Sequence, residues 1–110
     1  MPNSLRSDVI LISYPFSNLT NVKIRPAVVV NAPHISQDVI IVPLTSRVTG
    51  LLAGEFVLQH WQQARLNVPS AVKRGLYTVE ERLIVQIVGQ LTAIDEQALE
   101  TSLRVWLGLR

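Results

Sequence analysis

The stretch Arg25-Pro26-Ala27-Val28-Val29-Val30 decides the fold, because an arginine and a proline lead directly into an apolar run rich in valine. Such a run predicts a buried strand. Pro26 fixes its own φ and biases the residue before it towards extended backbone. Arg25 is therefore expected at the exposed end of a strand, on a stiff backbone.

A second apolar strand, predicted over 38–44, runs into Pro43-Leu44-Thr45-Ser46. The planar five-donor fork of an arginine suits phosphate oxygens, and short hydroxyls beside it add donors with little conformational freedom. Arg25 with Thr45 and Ser46 thus predicts a phosphate-binding site, and phosphodiester cleavage is a further interpretation. Each of these residues also has a simpler structural interpretation. An arginine at a strand end is commonly a solvated surface residue, and Thr-Ser after a strand commonly begins a turn.

The composition predicts one small apolar domain over residues 1–110. The chain is 48% hydrophobic and 16% charged, with a mean hydropathy of +0.31. A small domain has proportionally more surface to cover with polar groups, so this balance predicts a homodimer in which a second copy covers part of it. The net charge of +2 permits a nucleic-acid partner without requiring one, because the basic residues are dispersed.

The absence of cysteine excludes disulfides, thiolate zinc sites and cysteine nucleophiles. The two histidines, His34 and His60, show no metal-ligand spacing, so neither a metal nor a cofactor is expected. His34 has the proton chemistry of a general base, but it follows a proline in a loop, where histidines are usually idle. The apolar runs are too short to cross a membrane and no secretory signal is recognisable, so we expect a cytoplasmic protein.

The remaining pattern predicts short strands and one helix. Strands are expected over 8–14, 27–31, 38–44, 55–58, 70–73 and 83–91, the last broken by Gly89, with a helical turn over 60–66. The fold class is therefore mainly β with a C-terminal helix, arranged as a small and strongly bent β-barrel.

The C-terminal helix is the clearest element of the sequence. Thr92 and Asp95 have the spacing of a capping box, which predicts that the helix begins there. Leu99, Leu103 and Trp106 fall on one helical face, and a glycine at position 108 marks the end. The apolar face is expected to pack against the sheet.

The order and spacing of these segments resemble the MazF/PemK family of toxins from bacterial type II toxin–antitoxin modules, over nearly the whole chain. The segments that carry the resemblance are DVIL at 8–11, PFSNL at 15–19, KIRPAVV at 23–29, PLTS at 43–46, LNVPSAV at 66–72, LIV at 83–85, VGQL at 88–91 and the final helix. The resemblance implies an SH3-like barrel that works as a homodimer. It also implies a metal-independent endoribonuclease that cuts single-stranded RNA at short sequences.

The two residues that carry cleavage in the family match Arg25 and Thr45 here, with Ser46 in support. In that chemistry the ribose 2′-OH is the nucleophile, so the protein aligns it with phosphorus and stabilises charge on the non-bridging oxygens. The expected products are a 2′,3′-cyclic phosphate and a 5′-OH. Substrate contacts are expected from six residues, namely Ser17, Asn18, Lys23, Ser46, Arg47 and Lys73.

The resemblance further implies a cognate antitoxin, an acidic and partly disordered chain that covers the site. Operator DNA is an expected partner of the toxin–antitoxin complex. Four positions depart from the family pattern, namely Ser7, Asn18, Arg65 and Gln86. Arg65 stands where a small residue is common and Gln86 where many members are basic, so these positions bear on sequence preference and on activity.

Two other functions fit the same fold, since a fold does not fix a function. A CcdB-like toxin acts by binding DNA gyrase through its C-terminal residues, which would give Trp106 a role in binding. A nucleic-acid-binding module without catalysis is the third interpretation. Cleavage of RNA by the purified protein separates the first function from both.

Overall fold

The computed structural model describes residues 5–14 and 23–110, so Ser17 and Asn18 lie outside the described residues. The elements in the described part are β1 (Asp8–Tyr14), β2 (Lys23–Val29), β3 (Asp38–Thr45), β4 (Phe56–Val57), β5 (Ala71–Val72), β6 (Tyr77–Glu80), a 3₁₀ turn (Glu81–Leu83), β7 (Ile84–Gln90) and α1 (Ala93–Leu107). The longer strands are rich in valine and isoleucine, whose branched side chains favour extended backbone. The predicted fold class, mainly β with a C-terminal helix, is confirmed.

The sheet is antiparallel and bends at β3. Its strand order is β4-β5-β3-β2-β1-β7, and β6 pairs with β3 off this path. The first half of β3 pairs with β6, whereas Leu44 and Thr45 pair with β5. Pro43 lies between these halves and has no N–H to donate, so the strand changes partner there. In the described residues β4 and β7 do not pair with each other, so the sheet is strongly bent but open, where a barrel was expected.

The central strands are buried on both faces. Successive side chains of a strand point to opposite faces, and β1 alternates between two apolar clusters, with Val9 in one and Ile10 and Ile12 in the other. The first cluster also holds Val28, Val42, Leu44, Leu58, Ala64, Val72, Leu91 and Leu99, and the second Ala27, Val29, Val39, Ile41, Val79 and Ile84. This burial agrees with the unbroken apolar runs that predicted covered strands.

Helix α1 covers the first cluster. Leu99 is buried there, and Leu103 and Trp106 pack against it, as their spacing predicted. The helix ends at Gly108, whose left-handed backbone (φ 69°) returns an N–H to the carbonyls of the last turn. Both the apolar face and the stop signal are therefore confirmed.

The predicted capping box is wrong. Thr92 precedes the helix, but its hydroxyl makes no cap hydrogen bond with any described residue and instead lies 2.9 Å from Nδ1 of His60. Asp95 is turned into the core, 1% exposed, and accepts 2.9 Å hydrogen bonds from the backbone N–H groups of Gln59 and His60. A carboxylate can be buried only with such donors. Backbone hydrogen bonds from Ala64 to His60 and from Leu66 to Trp61 close a helical turn over 59–66, near the one predicted over 60–66, and Asp95 anchors its first residues to the helix.

Strands β6 and β7 differ from the predicted pattern. β7 passes through Gly89 without a break, and the irregularity expected there takes the form of register shifts against β1. A Cβ at Gly89 would lie 2.8 Å from the carbonyl carbon of Ala64, so the glycine admits the 59–66 turn beside β7. β6 was not predicted, because its four residues bury one side chain, that of Val79, and gain their order from pairing with β3.

Asp95→Asn replaces one of the two accepting carboxylate oxygens with an NH₂ group, which cannot accept a hydrogen bond. One of the two backbone N–H groups, of Gln59 or His60, then loses its acceptor. We expect the free energy of unfolding to fall by about 2 kcal/mol, because an unsatisfied buried donor costs about 1–3 kcal/mol. Urea denaturation followed by circular dichroism measures the change. Asp38→Asn removes a carboxylate at an exposed position and is the matched control, expected to change stability by less than about 0.5 kcal/mol. Equal effects of the two substitutions would contradict the anchoring role of Asp95.

Candidate functional site

A pocket of about 560 Å³ lies where β2 begins and β3 ends. Strands β2 and β3 contribute Arg25, Pro26 and residues 43–45 to its lining, Ser46 follows directly after β3, and the segment 65–68 contributes a separate part. The rest of the described lining consists of Leu11, Ser70, Lys73 and Val88. The two polar strand ends singled out in the sequence therefore share one cavity.

Arg25 stands on a strand that passes from solvent into the core. β2 begins with three exposed residues, continues through half-buried Pro26 and is buried from Ala27 to Val29. The backbone of Arg25 pairs with Ile12 of β1, so it is fixed in the sheet while the side chain lines the pocket. The proline that follows restricts its backbone further.

Thr45 approaches the same cavity from the neighbouring strand. The paired residues of β2 and β3 end with Ala27 opposite Pro43. If the same antiparallel register is extended by two residues, Arg25 falls opposite Thr45. The hydroxyl Oγ1 of Thr45 accepts a 3.0 Å hydrogen bond from the backbone N–H of Arg47. The turn expected from Thr-Ser is therefore present, and Thr45 and Ser46 line the pocket as well.

The other predicted substrate contacts divide into two groups. Lys73 lines the pocket, and its backbone N–H donates to the carbonyl of Pro43 at 3.0 Å, which ties it to β3. Lys23 and Arg47 are exposed and lie outside the described lining. Ser17 and Asn18 fall on residues that the structure does not describe.

Arg65, Asn67 and Ser70 line the pocket but were not predicted as site residues. Arg65 has φ 70°, in the left-handed region, which costs a residue with a Cβ roughly 1–2 kcal/mol. Neither Arg65 nor its direct neighbours Ala64 and Leu66 is a glycine or asparagine, the residues that usually signal such a turn. The family comparison in the sequence flagged Arg65 as a departure, and that was the available signal.

The pocket is electropositive. Arg25, Arg65 and Lys73 make no ion pair with any described residue, and no aspartate or glutamate is among the described lining residues. Cations around a concave surface focus positive potential and attract anions. Guanidinium groups and hydroxyls are suited to the oxygens of a phosphate group.

The two histidines lie elsewhere. His34 borders a second cavity of about 350 Å³ near Glu81, and its Nδ1 accepts a 3.0 Å hydrogen bond from the backbone N–H of Ser36. His60 is bonded to the start of α1. Among residues 5–14 and 23–110, no cluster of three or more histidine or acidic side chains is placed to hold a metal ion. In the same part of the chain, no helix is long and apolar enough to cross a membrane.

Comparison with known protein families matches residues 5–107 to the PemK-like, MazF-like toxins of type II toxin–antitoxin systems. The match spans almost the entire chain. The chain therefore belongs to this family, which is the one that its sequence segments resemble.

Solved structures show the same fold. A MazF from a MazE–MazF complex of Deinococcus radiodurans matches with a TM-score of 0.78 and 16% identity over 100% of both chains. An endoribonuclease in complex with its cognate antitoxin, from a mycobacterial species, matches with a TM-score of 0.77 and 17% identity over 98% of both chains. The Mycobacterium tuberculosis toxin MazF-mt6 matches with a TM-score of 0.72 and 24% identity, over 94% of this chain and 98% of the other. A sequence search of curated proteins finds no match.

Glu55 supports the chain next to the pocket and gives stability a defined pH dependence. Its carboxylate accepts backbone N–H bonds from Arg74 (2.9 Å) and Leu52 (2.7 Å). These bonds, that from Arg74 most, and the nearby charges of Lys73 and Arg74 lower the pKa of Glu55. A lowered pKa in the folded state stabilises the fold above the unfolded pKa, and this contribution is lost as the pH falls through the folded value.

Glu55→Gln should therefore lower the free energy of unfolding at pH 7, by no more than about 1 kcal/mol because water screens a surface group. The difference from the wild type should shrink as the pH falls below the ordinary glutamate range. Urea denaturation at pH 7, 5 and 3.5 (roughly spanning that range) measures it. A difference that stays constant over these pH values would contradict the assignment.

Proposed function

We propose that this toxin is an endoribonuclease that cleaves single-stranded RNA in the pocket between the ends of β2 and β3. The observation that carries the proposal is the convergence of Arg25, Thr45, Ser46 and Lys73 in one cavity whose described lining has no carboxylate. Such a cavity suits the negative charge of a phosphodiester. Membership of the family and the endoribonuclease named among the similar structures support the same function.

In the proposed reaction the substrate supplies its own nucleophile. The ribose 2′ oxygen forms a bond to the adjacent phosphorus, the bond from phosphorus to the 5′ oxygen breaks, and one proton passes from the 2′-OH to the leaving oxygen. The products are a 2′,3′-cyclic phosphate and a 5′-OH. The protein then needs no nucleophilic side chain and acts by alignment and by charge stabilisation.

Arg25 is assigned to the negative charge that develops on the non-bridging oxygens. Its planar fork can hold two of these oxygens at once. The sheet pairing with Ile12 and the neighbouring proline keep its backbone fixed, so little reorganisation accompanies the reaction. Arg25 also donates a hydrogen bond to the leaving 5′ oxygen as this oxygen takes up the proton released by the 2′-OH.

Thr45 is assigned to alignment of the phosphate. Its Oγ1 already accepts the N–H of Arg47, so the hydroxyl proton is free to be donated to a phosphate oxygen. Ser46 and Lys73 are proposed to bind the same phosphate group from the pocket lining. Lys23 and Arg47, exposed beside the cavity, are proposed to contact neighbouring nucleotides.

We propose that cleavage is independent of a metal ion. Magnesium and calcium are bound mainly by carboxylate oxygens, which the described lining does not offer. The positive charge that a metal would supply comes in this proposal from Arg25 and Lys73.

We propose two protein partners, a second copy of the chain and a cognate antitoxin. Homodimerisation is proposed from the apolar composition of so small a domain, and a second copy could cover large apolar side chains that are more than half exposed, such as Ile24, Val85 and Val105. An acidic antitoxin would complement the electropositive pocket, and two of the similar structures are of toxins bound to antitoxins. Operator DNA as a partner of the complex, a cytoplasmic location and the extent of the domain over 1–110 stay predictions.

The gyrase-binding alternative gains no support from Trp106. Its Nε1–H donates to the carbonyl of Ala53 at 3.0 Å, and a Cβ at Gly54 would lie 2.8 Å from its Cε2. The indole is thus engaged in packing the helix end against the 53–54 loop.

Incubation of a long single-stranded RNA with the purified protein in EDTA tests the proposal. We expect discrete cuts that leave 2′,3′-cyclic phosphates. Arg25→Ala should lower the cleavage rate by about 10²–10³-fold, because it removes a charge-stabilising donor. Thr45→Val keeps the side-chain shape without the hydroxyl and should lower the rate roughly tenfold. End-mapping of the products and initial rates give both results.

Arg82→Ala and Thr78→Val make the same kinds of change at exposed positions outside the pocket lining and should cleave at the wild-type rate. Intact RNA after incubation with folded wild-type protein would refute the endoribonuclease function. Cuts that appear only after magnesium is added would refute metal independence alone.

A further inference from the structure

Arg65 reaches the pocket from outside the strands that carry Arg25 and Thr45. It lies near the end of the 59–66 turn, where its backbone N–H donates to the carbonyl of Gln62 at 3.0 Å. Its φ of 70° places it in the left-handed region, which glycine and asparagine adopt far more readily than arginine. A long cationic side chain kept in that conformation at the edge of a cavity points to a function for the side chain.

The stem of Arg65 is held by packing. A Cβ at Gly89 would lie 2.9 Å from Cγ of Arg65, so the arginine passes directly over the bare backbone of β7. Its guanidinium makes no ion pair with any described residue. The stem is therefore positioned while the charged end remains available to a ligand in the pocket.

The turn that carries Arg65 is itself anchored. Asp95 accepts the N–H groups of Gln59 and His60, and Leu66 donates its N–H to the carbonyl of Trp61 at 3.1 Å. A side chain presented from such a turn binds with little ordering cost, because its backbone is already in place.

We propose that Arg65 binds an RNA backbone phosphate next to the phosphodiester held by Arg25, and so positions the strand across the pocket. This proposal rests on the endoribonuclease function proposed above. Arg25 lies on the sheet and Arg65 on the 59–66 turn, so the two arginines line one cavity from different elements. Two separate phosphates of one strand would neutralise both cations, which otherwise repel each other. Arg65 is a positioning residue in this proposal and takes no part in the bond changes.

The test measures binding of a 2′-O-methyl RNA oligonucleotide that spans a cut site mapped with wild-type protein. This probe lacks the nucleophile and cannot be cleaved. Fluorescence anisotropy at several salt concentrations gives the slope of log K against log salt, to which each phosphate contact of a single strand contributes about 0.7. Arg65→Gln should reduce the slope by about 0.7 and weaken binding roughly tenfold at low salt.

Three further variants separate a phosphate contact from other effects. Arg65→Lys keeps the charge and should keep the salt slope. Arg82→Gln loses the same charge outside the pocket lining and should bind like the wild type. Arg65→Gly removes the guanidinium and relieves the left-handed backbone, so we expect a Tm equal to or above that of the wild type together with the weakened binding.

Kinetics distinguish Arg65 from the catalytic pair. With the cleavable RNA, Arg65→Gln should raise KM and leave kcat within about threefold of the wild type, whereas Arg25→Ala lowers kcat. An unchanged salt slope for Arg65→Gln, with wild-type protein cutting and binding RNA, would overturn the role of Arg65 and leave the endoribonuclease function standing. Failure of the folded wild type to cut RNA, and to bind a mixed-sequence 2′-O-methyl RNA, would overturn both.

Discussion

Burial of the central strands on both faces is the constraint on which the candidate site depends. β1 to β3 lie between two apolar clusters, so a charged or hydroxyl side chain in their middle would be buried without partners. Polar groups are therefore confined to the strand ends. Because β2 and β3 are antiparallel neighbours, the start of one lies beside the end of the other, and Arg25 and Thr45 line the same pocket. The sheet thus brings together two residues that are distant in sequence.

The parts of the site that lie on strands were predictable because local chemistry marks strand ends. Arg-Pro before a valine run fixes where β2 leaves solvent, and Thr-Ser after an apolar run fixes where β3 stops. Lys73 follows from the resemblance alone, since nothing in its own segment points to a site. Pairing with a distant strand explains why β6 escaped prediction, because its short pattern has no core face of its own until it pairs with β3.

Arg65 and Asp95 could not be assigned from sequence for a different reason. Asp95 stands three residues after Thr92, so local spacing favoured a capping box, but its partners are Gln59 and His60 on another segment. Arg65 has a left-handed backbone although it is neither glycine nor asparagine, so its sequence does not predict this conformation. Its side chain fits against β7 because Gly89 has no side chain there. Both roles depend on tertiary contacts between segments far apart in the chain, which residue patterns do not encode.

The charge distribution of the pocket has a consequence for its inhibition. A carboxylate beside Arg25 or Lys73 would compete with an RNA phosphate for the same donors, and the described lining contains none. Arg25, Arg65 and Lys73 line the pocket without an ion pair to any described residue, and like charges in one cavity repel each other. An acidic polypeptide that fills the cavity relieves this repulsion and removes the phosphate site in the same step. Arg65 adds a further cation to this cavity, on a turn that Asp95 anchors and that the absent side chain of Gly89 admits. Either an RNA strand or an acidic partner must therefore neutralise this charge as well.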